Sequence, residues 1–210
     1  MKIFRVSLLV RLMLFLFACI QISFVGADEL KSSEVLIDDI RKGGYVLYFR
    51  HAATNRSQTD IDTSNLDDCS TQRNLSEKGR EQSRVIGKAF RELDIPVGTV
   101  LTSPYCRCVD TAMLAFGRGI KRQDLQFTIS KDKQETQRLS DVLKVMLATI
   151  PAAGTNTVLV GHTGNLREAT NVWPKPEAVM HVFEPLGVNG FKHIGRIEPD
   201  RWQVFLQKNR

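Results

Sequence analysis

Three short apolar runs, at residues 45–49, 97–101 and 157–160, each break off into a loop of charged and polar side chains. Helix-spaced segments fill the intervals between them. Apolar runs of four or five residues have the length of buried strands, and strands that alternate with helices assemble most simply as a parallel sheet covered on both faces. Ser76 is placed to cap a helix running to about Leu93, with Val85, Ile86, Ala89, Phe90 and Leu93 on one face. Pro104 suits the first turn of the next helix, which continues through Ala112 to about Phe116. Residues 134–149 carry Leu139, Val142, Leu143, Val145 and Met146 at helical spacing. Residues 178–183 and 191–197 read as late strands, antiparallel and at an edge. The expected fold is α/β, a three-layer sandwich with a mostly parallel central sheet flanked by helices. With no internal repeat or composition break, residues 28–210 are expected to form a single domain.

The first 27 residues are expected to be a signal peptide. Lys2, Arg5 and Arg11 give a basic start, residues 12–24 are almost wholly apolar, and Val25-Gly26-Ala27 supplies small residues before the acidic Asp28-Glu29. The uninterrupted apolar run is short of the ~20 residues that a spanning helix needs. A lipoprotein signal ending at Cys19 is the weaker alternative, because Phe17 is bulky for it and apolar residues continue past the cysteine. Removing 27 of 210 residues leaves 183, enough for one domain with a full core. The net charge of +6 includes three cations of the leader, so the mature chain carries +3. That balance can steer phosphates but falls short of a nucleic-acid footprint. Export to the periplasm is the expected destination.

The loops that follow the three strand runs carry the chemistry. The first holds Arg50, His51, Thr54 and Asn55, the second Ser103, Pro104, Tyr105, Cys106 and Arg107, and the third Gly161 and His162. In open α/β sheets ligands bind beyond the carboxyl ends of strands, so these loops can meet at one site. Two arginines and two histidines form a cationic cluster suited to an anion with several oxygens, and phosphate fits best. A neutral imidazole is nucleophilic near pH 7 when its other nitrogen is held by a hydrogen bond. Arginine offers planar, permanently charged donors to the oxygens over which charge spreads during phosphoryl transfer. Taken singly, each residue has a plainer reading as a hydrogen-bonding histidine, a surface arginine or a turn, and Tyr48 and Tyr105 read as packing residues. The combination at three successive strand ends is what points to a site.

Cys69, Cys106 and Cys108 remain after removal of the leader. An oxidising compartment favours one disulfide, and a Cys69–Cys106 bond would tether the long polar loop of residues 57–74 beside Arg107, with Cys108 left as a buried thiol. No Cys-x-x-Cys or His-x-x-x-His spacing supports zinc, and neither a metal nor another cofactor is expected.

These motifs resemble those of the histidine phosphatase (phosphoglycerate mutase-like) superfamily, in an exported bacterial form. The resemblance rests on Phe49-Arg50-His51-Ala52, Ser103-Pro104-Tyr105-Cys106-Arg107 and Val160-Gly161-His162, and on Leu75-Ser-Glu-Lys-Gly79-Arg80-Glu81-Gln82 as a helix start. It implies that His51 becomes a phosphohistidine while Arg50, Arg107 and His162 bind the phosphoryl group, and Asn55, in the same loop as His51, is a further expected phosphate-binding residue. Two positions depart from the family pattern. Ala52 stands where glycine is usual, which requires a negative φ there. Thr163 stands where phytase-like members place an acidic proton donor, and the stretch between Ala112 and Lys131 offers only Asp124 in place of the mutase glutamate. Glu177 is the leading candidate for the acid, with Glu135 and Asp132 as alternatives.

The expected function is therefore an exported phosphomonoesterase acting on a small or envelope-associated phosphate, with lipopolysaccharide core phosphate and phosphoprotein left open. A non-catalytic phosphate-binding protein of the same fold is the alternative, and a scaffold using the fold only for protein contacts is a third. Turnover of phosphate esters separates the first from the other two.

Overall fold

A computed structural model describes residues 30–129 and 131–209. The expected signal peptide, with Cys19 in it, lies outside the described residues. Six strands, β1 (Val46–Arg50), β2 (Val97–Thr102), β3 (Ile120–Lys121), β4 (Asn156–Gly161), β5 (Met180–Pro185) and β6 (Phe191–Ile197), form one sheet in the order β3-β2-β4-β1-β5-β6. β4 runs parallel to both β1 and β2, and β3 runs parallel to β2. β5 pairs antiparallel with β1, and β6 with β5. The sheet is thus mostly parallel, with two antiparallel strands at one side. Of the two, only β6 is at the edge.

Around the sheet lie α1 (Ser33–Ile40), α2 (Glu77–Glu92), α3 (Cys106–Phe116), α4 (Lys133–Ala148), α5 (Thr163–Thr170) and α6 (Arg201–Lys208). Strand side chains alternate between faces, and the core divides accordingly. Leu47 and Phe49 of β1 pack with α1, α2, α3 and α6, where Trp202 is fully buried. Val46 and Tyr48 pack on the opposite face with Leu143 and Leu147 of α4 and Leu166 of α5. Continuous apolar runs in β1 and β4 follow from this double burial. Three layers are present, as expected.

Local signals explain the helix that reaches the site. Ser76 accepts from the Gly79 amide and so caps α2. Gly79 is required by contact: a Cβ there would lie 1.9 Å from the Ala53 carbonyl oxygen. The start of α2 is thereby pressed against the loop that follows β1. One expectation is corrected. Pro104 precedes α3, which starts at Cys106 with Tyr105 as its N-cap, because Ser103 and Pro104 are still leaving β2.

Candidate active site

The carboxyl ends of β1, β2 and β4 lie side by side, and their loops bring together His51, Arg107 and His162. All three are almost wholly buried, at 3%, 1% and 1% exposure. The His51 and His162 rings stand with centroids 5.5 Å apart. Extended register sets this spacing, since Arg50 pairs with Gly161 and Thr102 with Val160 across the parallel strands.

His51 Nδ1 lies 3.0 Å from the Ala52 carbonyl oxygen. Burial, and then the Arg107 charge, hold the imidazole well below its ordinary pKa, so it is neutral near pH 7. A carbonyl only accepts, so Nδ1 carries the single proton and Nε2 keeps its lone pair. Ala52 has no positive φ, which removes the difficulty of alanine at a glycine position.

His162 is fixed from two sides. Its Nε2 shares a hydrogen bond of 2.8 Å with Ser103 Oγ, and its carbonyl accepts from the Tyr48 hydroxyl at 2.8 Å. Gly161 leaves room for that hydroxyl, which a Cβ would approach to 2.4 Å. Tyr48 is therefore a positioning residue as well as a packing one. Burial and then Arg107 also lower the pKa of His162 well below the usual imidazole range. Tyr105 and Phe127 rings each sit 5.0 Å from the His162 ring.

Three guanidiniums surround the histidines. Arg107 is stacked on Tyr105, 4.6 Å from its ring centroid, and donates to Asp60 at 2.9 Å and to the Arg73 carbonyl at 3.4 Å. Arg50 donates to the Pro174 carbonyl at 3.0 Å and lies 3.6 Å from Glu177. Arg73 contributes a positive charge that depresses His51, His162 and Arg50 alike. The Nε atoms of Arg50, Arg73 and Arg107 are all buried without a hydrogen-bond partner. Three donors left unsatisfied at one place favour an anion with several oxygens.

Glu177 reaches this assembly. Its carboxylate accepts from the Thr54 hydroxyl at 2.8 Å and from the Thr54 amide at 3.4 Å. The alternatives do not come near it through any bond: Asp132 caps the Glu135 amide at the start of α4, and Glu135 pairs with Arg138 on the surface. Asn55 follows Thr54, and its side-chain Oδ1 accepts from the amide and hydroxyl of Ser57. Arg73 and Asp60 join the site without having been singled out from the sequence, and Ser103, named there as part of the second loop, proves to be the partner of His162. A polar segment without periodicity carries Arg73 and Asp60, and only tertiary pairing reveals them.

Cys69 and Cys106 form a disulfide, as expected from the sequence. It ties the segment that supplies Asp60 and Arg73 to the first residue of α3. Cys108 is a free, buried thiol whose pKa burial pushes up to about 12, so it stays protonated. Among the described residues no cluster of three or more His, Cys, Asp or Glu could hold a metal ion, and no helix is long and apolar enough to cross a membrane.

A cavity of about 820 Å3 opens beside the histidines, with Arg50, Thr54 and Glu177 in its wall. Neither histidine lines it. The arginine–histidine cluster thus lies at the edge of an open volume, and the Asp60 segment covers its Arg107 side.

Residues 46–131 match the family model described as histidine phosphatase superfamily (branch 1). Among solved structures, a protein from Escherichia coli reported as a candidate alpha-ribazole-5'-P phosphatase superposes with a TM-score of 0.54 at 12% identity, covering 75% of this chain and 98% of that one. A phosphoserine phosphatase from Entamoeba histolytica, in complex with phosphoserine, superposes with a TM-score of 0.51 at 10% identity, covering 74% of this chain and 97% of that one. Comparison with curated protein sequences returns no significant match.

Proposed function

Because residues 46–131 match the histidine phosphatase superfamily model, we propose that the chain belongs to that superfamily and is a phosphomonoesterase working through a phosphohistidine at His51. The observation that carries this reading is a neutral imidazole, held at Nδ1 by the Ala52 carbonyl, inside a cluster of three arginines. His51 Nε2 attacks phosphorus and the ester P–O bond breaks. Arg50, Arg107, Arg73 and His162 donate to the phosphoryl oxygens as charge spreads over them. Glu177 gives its proton to the departing oxygen. A water molecule then attacks the phosphohistidine and returns a proton to Glu177, releasing phosphate and restoring His51. Asn55 has an amide nitrogen available to the same oxygens. The Asp60 carboxylate occupies Arg107 until the phosphate displaces it.

Export is part of the proposal. The basic, apolar and small-residue order of residues 1–27 supports it, and so does a disulfide beside the site, since disulfides persist in oxidising compartments. Cell fractionation tests it, and a full-length product recovered in the cytoplasm would overturn it. The activity is tested by quenching the enzyme during turnover of a panel of phosphate esters. An acid-labile, base-stable phosphate should appear on His51. His51→Ala should abolish turnover with the fold retained, and substantial residual activity in that variant would refute the nucleophile. No turnover with any ester would leave the phosphate-binding alternative.

A further inference from the structure

The cavity beside Arg50 is larger than a phosphate needs and is charged in a specific way. Its wall carries five cations, Arg50, Arg56, Lys78, Lys175 and Arg196, against two carboxylates, Glu177 and Glu198. Both carboxylates are engaged, Glu177 with Arg50 and Thr54, and Glu198 with Arg196 at 2.8 Å. Arg56, Lys78 and Lys175 have no acidic partner among the described residues. Lys175 instead rests against Trp173, 5.0 Å from its ring centroid. The charge of Arg56 is felt at Arg50, whose pKa it helps to lower. Ser76, the N-cap of α2, is in the same wall, so the positive end of a sixteen-residue helix adds to the field.

Like charges gathered around one volume repel, and that arrangement is stabilised only when an anion enters. Arg50 also belongs to the phosphoryl site, so whatever fills the cavity is continuous with a phosphate held at His51. A volume of this size matches the body of a small ligand.

We infer that this cavity receives the leaving group and selects one that carries a second anion, so that the preferred substrate is a phosphomonoester of an already anionic compound. The inference rests on the phosphatase reading of His51 and Arg50. The second anion, a phosphate or a carboxylate, is held by Arg56, Lys78 and Lys175 while the first phosphate is transferred. A soluble metabolite and a lipid headgroup share this chemistry.

The test compares matched pairs: alkanediol bisphosphates with short, medium and long spacers against the corresponding hydroxyalkyl monophosphates. The wild type should favour the bisphosphate of one spacer length in kcat/KM by about tenfold or more, the scale of one charge-assisted contact. That preference should shrink with added salt and collapse toward unity in the double variant Arg56→Gln, Lys78→Gln. A preference that survives the double variant would overturn the inference. A lipid bearing two phosphates, displayed on phosphatidylcholine vesicles, forms a second arm. Preference there alone names a membrane headgroup as the source, and absence of preference in both arms refutes the proposal. If no ester is turned over, the phosphatase reading fails separately, and calorimetry decides the cavity. Tighter binding of a bisphosphate than of its monophosphate to His51→Ala, lost when Arg56→Gln and Lys78→Gln are added, upholds the second anion site, and equal binding rejects it.

Discussion

Arg73 stands in a polar stretch where no pattern of spacing marks it, yet its charge reaches both histidines. Removing a donor aimed at developing charge typically costs about 3 kcal/mol in the barrier, on the order of a hundredfold in rate. Arg73→Ala should lose between about tenfold and a hundredfold in kcat/KM toward a simple phosphate ester. Taking one positive charge from beside His51 should also raise the pKa of that imidazole, moving the acid limb of the rate–pH profile upward. An unchanged profile with wild-type rates would place Arg73 outside the site. Glu177 offers a different kind of test. An alkyl leaving group needs a proton and a nitrophenolate needs little, and donors of this kind commonly contribute about 10²–10⁴-fold. Glu177→Gln should therefore cripple alkyl phosphate hydrolysis and spare aryl phosphates. Equal loss on both classes would make Glu177 a partner of Arg50 and Thr54 rather than a proton donor. Arg50, His51, Arg107 and His162 were legible because each directly follows an apolar strand or its turn. Arg73 and Asp60 were not, because their positions depend on a covalent tether and on pairing with residues far along the chain.

Among the elements, α2 meets the β1 loop at Gly79 with no room for a side chain. Gly79→Ala would drive a methyl group into the Ala53 carbonyl, and the helix start must then move away from the loop carrying His51. Overpacking of this kind costs roughly 1–3 kcal/mol, so the urea midpoint should fall with kcat/KM. A variant with wild-type stability would show that the helix start adapts more freely than the contact implies. β1 and β4 could be read from the sequence because burial on both faces makes their runs apolar, and β2 because its short run, only partly buried, ends at the same kind of polar loop. β3 could not: two exposed residues, Ile120 and Lys121, carry neither alternation nor length, and only their pairing with Leu101 and Thr102 makes them a strand. The antiparallel character of β5 and β6 was visible, whereas the placement of β5 inside the sheet depends on its pairing with β1.

For the whole molecule, all four histidines are held below their ordinary pKa, chiefly by burial. His181, lowered to about 3, and His193 share a hydrogen bond of 2.9 Å between β5 and β6. In the unfolded chain each histidine takes up a proton near pH 6.5, whereas in the folded one it resists. The unfolded state therefore binds more protons as pH falls below about 6.5, and stability decreases there, by up to about 1.4 kcal/mol per pH unit for each histidine involved. Denaturant titrations at pH 7.5 and 5.5 should show this loss, and His181→Gln should make it shallower; stability flat across that window would contradict the burial. The Cys69–Cys106 bond acts at the same scale. Reducing it should cost roughly 2–4 kcal/mol and free the segment that supplies Arg73 and Asp60. Under the proposed export, this makes chemistry conditional on geography. The precursor, synthesised among reduced thiols and abundant phosphate esters, would carry an unassembled anion site past substrates it could otherwise waste. Oxidation on arrival would then be the step that switches the protein on, measurable as activity gained when the reduced, folded protein is given an oxidant.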